Sequence, residues 1–359
     1  MNPLTDLIRD EIVARGPISF ARFMERALYE PGCGYYEIVR PVGRRGDFYT
    51  SVSVGPTFGE LLGFQFAQWA NGDALHLMEA GAHDGRLMAD ILQCLQNHWP
   101  ELWPKLECTI VEPSPARRQV QAQTLAAFAG KIRWVSGLEE IPEGSIRGVI
   151  YSNELLDAMP VHRLGWDAAT QAWFEWGVAW EAGRFAWRRL AVAELKAVRN
   201  ETLQVSQAMR EVLPDGFVTV ACPRAADWWH AAARRLGRGT LLTLDYGLTS
   251  EEFFAPHRTS GTVRAYFQHQ IADDVLGNVG EQDLTASVNF SVTQMMGELA
   301  GLATRALQTQ EQFLMGVFQQ TLARPDKFPE WTPERRRQFQ TLAHPQHLGR
   351  SHHALVQSR

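Results

Sequence analysis

Between residues 75 and 152 short apolar runs alternate with amphipathic stretches, and this alternation constrains the fold more than any other feature of the chain. The runs at 75–80, 107–111, 132–135 and 147–152 have strand length, while the stretches 86–97 and 115–129 repeat apolar residues at helical spacing. Successive strands joined through helices run parallel in one sheet with crossover connections, which is the doubly wound α/β class. Ligands of such sheets bind beyond the carboxyl ends of the strands. The turns that follow the strands therefore carry the candidate residues.

The first of these turns lies in 77-LMEAGAHDGRLMADIL-92. Glu79 closes the apolar run, and Gly81 and Gly85 bracket Ala82, His83 and Asp84 before the helix begins. A dinucleotide fingerprint needs G-x-G-x-x-G, but His83 and Arg86 stand at its second and third glycines. A P-loop needs Lys and then Ser or Thr after its last glycine, where this chain has Arg86 and Leu87. S-adenosylmethionine asks for less: a small turn beside its methionine part and an acid at the end of the next strand for its ribose hydroxyls. Glu112, which follows 107-ECTIV-111, is that acid. The residues read in this way as cofactor-binding are Glu79, Gly81, Ala82, Gly85 and Glu112. An ordinary strand-to-helix turn with solvated acids fits the same letters.

Composition narrows the partner. Lys+Arg number 35 against 40 Asp+Glu, a formal charge of −5, so the chain has no electrostatic footprint for nucleic acid or an anionic membrane. The four cysteines are scattered without a CxxC pair, which gives neither a zinc site nor a disulfide framework and fits a reducing compartment. The N-terminus has acids among its apolar positions, and no apolar run reaches the roughly 18 residues of a membrane helix. A soluble, cytoplasmic protein without membrane insertion is expected.

Along the chain, two amphipathic helices and a glycine-rich loop make up an expected N-terminal extension over 1–70. Residues 71–320 form the expected main domain, interrupted at about 161–190 by an antiparallel β-meander that contains five tryptophans: Trp166, Trp173, Trp176, Trp180 and Trp187. The stretches 217–222 and 239–247 read as the parallel sheet resuming, and 261–320 as loop and then helices. The tail 321–359, with its prolines and histidines, reads as irregular.

Several stretches, in order, resemble a known family: 46-GDFYTS-51, 55-GPTFGELL-62, 79-EAGAHDGRLMADIL-92, 111-VEPSP-115, 152-SNELLDAMPVHR-163, 242-LTLDYG-247, 261-GTVRAY-266, 280-GEQDLTASVNF-290 and 310-QEQFL-314. Together they are similar to the class I S-adenosylmethionine-dependent methyltransferases that include the mitochondrial complex I assembly factor with protein-arginine methyltransferase activity and its bacterial relatives. The resemblance implies a Rossmann-like, mainly parallel sheet with an N-terminal helical extension, an inserted β-meander and C-terminal helices. It implies S-adenosyl-L-methionine as cofactor and methyl transfer to an arginine of a protein, with a respiratory NADH dehydrogenase subunit as a candidate partner. A non-catalytic assembly factor on the same fold and a small-molecule methyltransferase remain open alternatives.

By the same resemblance Asp47, Thr50 and Asn153 join the cofactor set, and Glu154 and Asp157 form the catalytic pair that binds the substrate nitrogen. A guanidinium stays protonated in water, so carboxylates are the expected device for holding its fork. Asp157 faces the same side as Glu154 if a helical turn begins at Asn153. Asp283 and Thr285 are expected on the substrate side or as a helix cap. His162 and His269 are read as structural. Where the family usually has Gly-Pro-Gly-x-Gly in the first turn, this chain has His83 at a glycine position.

Overall fold

A computed structural model of the chain describes residues 2–38, 50–190, 205–255, 257–268 and 270–359. The chain divides into two units. One comprises Met1–Phe48, Leu156–Asp227 and Gly247–Thr293; the other comprises Tyr49–Leu155, Trp228–Tyr246 and Gln294–Arg359. Numbered along the chain, the strands are β1 (Ile18–Ser19), β2 (Leu75–Ala80), β3 (Leu106–Val111), β4 (Ile132–Val135), β5 (Ile146–Asn153), β6 (His162–Asp167), β7 (Ala172–Glu181), β8 (Arg184–Leu190), β9 (Val218–Ala221), β10 (Leu236–Leu248), β11 (Arg264–Phe267), β12 (Gln270–Ala272), β13 (Asp283–Thr285), β14 (Val288–Asn289), β15 (Ala303–Thr309) and β16 (His352–Ser358).

The second unit holds the sheet β4–β3–β2–β5–β10–β16–β15. Its strands are parallel except β16, which is antiparallel to both neighbours. From β2 the chain builds outward through β3 and β4 and then returns to lay β5 on the other side of β2. The switch point of the sheet therefore lies between β2 and β5. The central strands are buried along nearly their whole length, as strands covered on both faces must be. Helix Thr57–Ala70 is buried on almost every side, and its glycines let it press against helix Arg86–His98. A Cβ on Gly59 would collide with the Asp90 side chain, and one on Gly63 would come within 3.2 Å of the Ile91 carbonyl oxygen. This packing draws the helix into the core of the second unit instead of the N-terminal extension expected to end at residue 70.

The tail is a second correction. Helix Pro333–Ala343, capped by the Thr332 hydroxyl, sends Phe339 and Leu342 into the same core. Residues His352–Ser358 then slot between β10 and β15. The run HHALVQS has few apolar residues and opens on two histidines, so nothing local marks it as a strand; its two neighbours supply the backbone partners.

In the first unit the tryptophan-rich segment forms β6, β7 and β8, paired antiparallel. Trp166 and Trp173 are buried in the unit's core, and the other three tryptophans are half-buried. β9, expected to continue the parallel sheet, pairs instead with β6, in the register Leu164↔Thr219. The N-terminal helices Pro3–Arg15 and Phe20–Tyr29 add Leu4, Ile8, Phe20 and Phe23 to this core. Among the described residues no helix is long and apolar enough to cross a membrane.

Candidate active site

The turn after β2 is built by its backbone. Gly81 and Gly85 have φ of 74° and 85°, in the left-handed region that favours glycine. A Cβ on Gly81 would also lie 2.9 Å from Leu155 Cδ1 and 3.2 Å from its Cβ, so Leu155 would have to shift to admit a side chain. His83, between the two glycines, has φ 46°. A residue with a Cβ adopts that conformation at a cost of roughly 1–2 kcal/mol, so the histidine takes a backbone shape that favours glycine.

Two acids stand at the ends of β2 and β3. Glu79 is buried at 2% exposure, paired in register with Tyr151 of β5, whose hydroxyl donates to Glu79 Oε2 at 3.2 Å. Burial lifts its carboxyl to about 8, against the opposing pull of that hydrogen bond. Glu112 is held differently. The Ser114 N–H donates to its Oε1 at 3.0 Å, and Gln121 Nε2 donates to its Oε2 at 2.9 Å. Gln121 also donates to the His83 carbonyl at 3.1 Å and accepts from Trp134 Nε1 at 3.0 Å. One buried glutamine thus ties the glycine turn to the acid of the next strand. Sequence reading missed it, since a glutamine on a helix carries no motif.

At the end of β5, Asn153 is buried and its Oδ1 has no hydrogen-bond partner among the described residues. The next residue, Glu154, sits at φ 48°, and its N–H donates to the Leu244 carbonyl of β10. Its polar contacts fall on one oxygen: the Ser51 N–H at 3.0 Å, Asn153 Nδ2 at 3.3 Å and His352 Nε2 at 3.9 Å all face Oε1. Among the described residues Oε2 accepts no hydrogen bond. Burial raises this carboxyl to about 7, although the donors from Ser51 and Asn153 pull it down. Asp245, fully buried within β10, accepts the Leu155 N–H at 3.1 Å and so fixes the chain just past Glu154.

The remaining expected site residues fall elsewhere. No helical turn starts at Asn153, which is the last residue of β5; the chain leaves the second unit after Leu155, so Asp157 belongs to the first unit, where its carbonyl accepts the Ala286 N–H. The pairing of Asp157 with Glu154 on one helical face is thereby removed. Asp47 and His269 lie outside the described residues. The Thr50 hydroxyl accepts the Ser53 N–H in a local turn, and it is the neighbouring Ser51 that reaches Glu154. Asp283 begins β13 in the first unit, buried and accepting the Tyr36 hydroxyl at 2.8 Å; Thr285 ends the same strand, so neither caps a helix. His162 Nδ1 lies 2.7 Å from the buried Glu175 carboxylate, a structural pair across β6 and β7. Among the described residues no three His, Cys, Asp or Glu are arranged to hold a metal ion.

On this sheet and turn, the sequence of residues 61–308 matches the model of a family of S-adenosyl-L-methionine-dependent methyltransferases. The chain belongs to this family. The methyltransferase is 28% identical to the mouse (Mus musculus) protein arginine methyltransferase NDUFAF7, mitochondrial, with 98% of this chain and 84% of the relative aligned. It is also 28% identical to the human (Homo sapiens) protein of that name, over 84% and 71% of the two chains. A crystal structure of a Burkholderia thailandensis protein bound to S-adenosyl-homocysteine superimposes with a TM-score of 0.85 at 30% identity, covering 99% of this chain and 92% of that one.

The cofactor of this methyltransferase is S-adenosyl-L-methionine. Three observations on the second unit fit it. Gly81 leaves a cradle that a single Cβ would fill. The buried Asn153 Oδ1 is an acceptor that no donor among the described residues satisfies. The Glu79 carboxyl, withheld from water, suits a cationic neighbour, which would repay the cost of ionising it.

Proposed function

We propose that the enzyme methylates an arginine side chain of a protein, in the cytoplasm, with a subunit of respiratory NADH dehydrogenase as the candidate substrate. The observation that carries this reading is the Glu154 carboxylate, whose Oε1 accepts from the Ser51 N–H and Asn153 Nδ2 while Oε2 accepts from none of the described residues. The names of the arginine-methylating relatives support it.

Glu79, Gly81, Ala82, Gly85, Glu112 and Asn153 hold the cofactor. When bound, S-adenosyl-L-methionine supplies an electrophilic methyl group on a cationic sulfur. Glu154 does the remaining work on the substrate side. Its Oε2 accepts an N–H of the guanidinium, fixes the orientation of that planar group and takes up the proton that the nitrogen releases. A carboxyl lifted to about 7 suits the task, because it is ionised for binding at neutral pH and still holds a proton for an appreciable fraction of the time.

The test is incubation of the purified protein with methyl-labelled S-adenosyl-L-methionine and proteins extracted from cells that lack it, followed by acid hydrolysis. Label recovered in methylarginine supports the reading; label confined to other residues or to small molecules overturns it.

Cofactor binding is also expected to release protons. Ionised Glu79 is favoured beside a cation, so affinity for S-adenosyl-L-methionine rises with pH up to about 8, where the free carboxyl is itself ionised. Calorimetry at pH 7 in buffers of different ionisation enthalpy should show release approaching one proton, and the pH dependence should flatten in Glu79→Gln.

A further inference from the structure

Gln310 opens the stretch 310-QEQFL-314 and the helix Gln310–Ala323, whose start is fixed by the capping box of Thr309 and Gln312. Its side chain is wholly buried and bridges two segments of the second unit. Nε2 donates to the Leu342 carbonyl at 3.0 Å, and Oε1 accepts the Ser51 hydroxyl at 3.1 Å. A carbonyl can only accept, so the amide has one satisfied orientation and the serine donates. The Leu342 carbonyl belongs to the last turn of helix Pro333–Ala343, where a helix has no donor of its own to offer. Ser51 is also wholly buried, and its second donor, the backbone N–H, lies 3.0 Å from Glu154 Oε1. A continuous line of hydrogen bonds thus runs from the end of that helix through Gln310 and Ser51 to the carboxylate.

Local bonds close the turn around Ser51 without setting its place on the sheet. The Ser53 N–H donates to the Thr50 hydroxyl at 3.1 Å, and the Ser53 hydroxyl to the Thr50 carbonyl at 2.8 Å. Beyond it, Val52 and Val54 lie half-buried against the core, and Gln338 Oε1 accepts the Thr57 N–H and hydroxyl at 3.2 and 2.6 Å. The end nearest Glu154 is tied by Gln310.

We propose that Gln310 is a positioning residue for methyl transfer: it anchors the Ser51 hydroxyl so that the Ser51 N–H stays on Glu154 Oε1 and Oε2 faces the substrate nitrogen. The inference rests on the role given to Glu154 above. An amide does not titrate, so this line orients the carboxylate without taking its proton. The other groups facing Glu154 are Asn153 Nδ2 at 3.3 Å and the His352 ring at 3.9 Å, which burial keeps neutral with a pKa of about 4. On the neighbouring strand Asp245 is engaged by the Leu155 and Tyr246 N–H groups.

The experiment is an infrared titration of the full-length protein carrying isotope-labelled glutamate. A carboxyl band with its midpoint near 7 should be present in the wild type and absent in Glu154→Gln. Gln310→Met keeps the length of the side chain and removes both hydrogen bonds. With Ser51 no longer anchored, the midpoint should move up by about one pH unit, the size of one hydrogen bond to a charged group. The acid limb of label transfer to extract proteins should move with it, so that transfer falls about fourfold more at pH 7 than at pH 8.5. Ser51→Ala, which deletes a single hydroxyl, should act in the same direction and serves if Gln310→Met does not fold. The double variant should shift the midpoint no further than the larger single change, as expected for two links of one line. Thr321→Val is the control. It breaks buried hydrogen bonds of the same helix to Trp331 and Phe318, and should lower the melting temperature with the midpoint unmoved. Calorimetric affinity for S-adenosyl-L-methionine should be the same throughout.

A midpoint unmoved in both Gln310→Met and Ser51→Ala overturns the proposal, as does a double variant whose shift is the sum of the two or an equal shift in Thr321→Val. If Glu154→Gln abolishes transfer and Gln310→Met leaves its pH profile unchanged, Gln310 alone loses its role. Transfer retained in Glu154→Gln overturns the reading of Glu154, and this proposal with it.

Discussion

Gly81→Val is expected to abolish S-adenosyl-L-methionine binding. The first added carbon meets Leu155 at 2.9 Å, and the two methyl groups beyond it fill the turn. The position also has φ 74°, where a β-branched residue is strained. Strain and overpacking together should cost about 2–4 kcal/mol of stability. Strain alone can be separated from filling of the turn with Gly72→Val. Gly72 has φ 83° in the same unit, and an added Cβ finds nothing within 4 Å. That variant should lose about 1–2 kcal/mol and bind the cofactor normally. Calorimetric titration and thermal melts of both variants make the comparison; undiminished binding in a folded Gly81→Val would remove the cofactor from this turn.

Glu154→Gln should leave the cofactor's dissociation constant within about threefold and reduce turnover by roughly 10²–10³, the usual scale for one positioned acid–base or charge-stabilising group. It should also change stability in a pH-dependent way. The folded carboxyl titrates at about 7, above its unfolded value, so burying the neutral acid contributes stability that is fully present below the unfolded value and lost as pH rises through about 7. The wild type therefore weakens between about pH 5 and 8. Gln cannot ionise, and the variant should show a flatter profile, with a higher melting temperature than wild type at pH 8.5. Equal pH profiles for the two proteins would mean that Glu154 is not the group that titrates.

The parts of the site that were legible in the sequence are those that depend on local geometry. Gly81 and Gly85 are glycines because the turn needs positive φ, and Glu79 and Glu112 end apolar runs because strand ends mark the edge of the sheet. The partners that hold these acids were not legible. Gln121, which holds Glu112, and Ser51, which holds Glu154, are unremarkable letters, 9 and 103 positions from the acids they meet. They become site residues only when helix and loop pack onto the sheet. The Asp157 pairing failed for a related reason. The letters after Asn153 are compatible with a helical turn, but in the structure Asp245 accepts the Leu155 N–H and no helix starts there.

The sequence by itself determined the parallel sheet and the chemistry of its first turn, because alternating periodicity and glycine conformation are properties of neighbouring residues. Only the tertiary structure decided that residues 217–221 pair with the tryptophan-rich strands, that helix 57–70 lies within the core of the second unit, and that the tail closes the sheet as β16. Each of these depends on which partners are available for backbone hydrogen bonds and apolar surface. A strand with few apolar residues, such as HHALVQS, is specified by the gap between β10 and β15 and not by its own pattern.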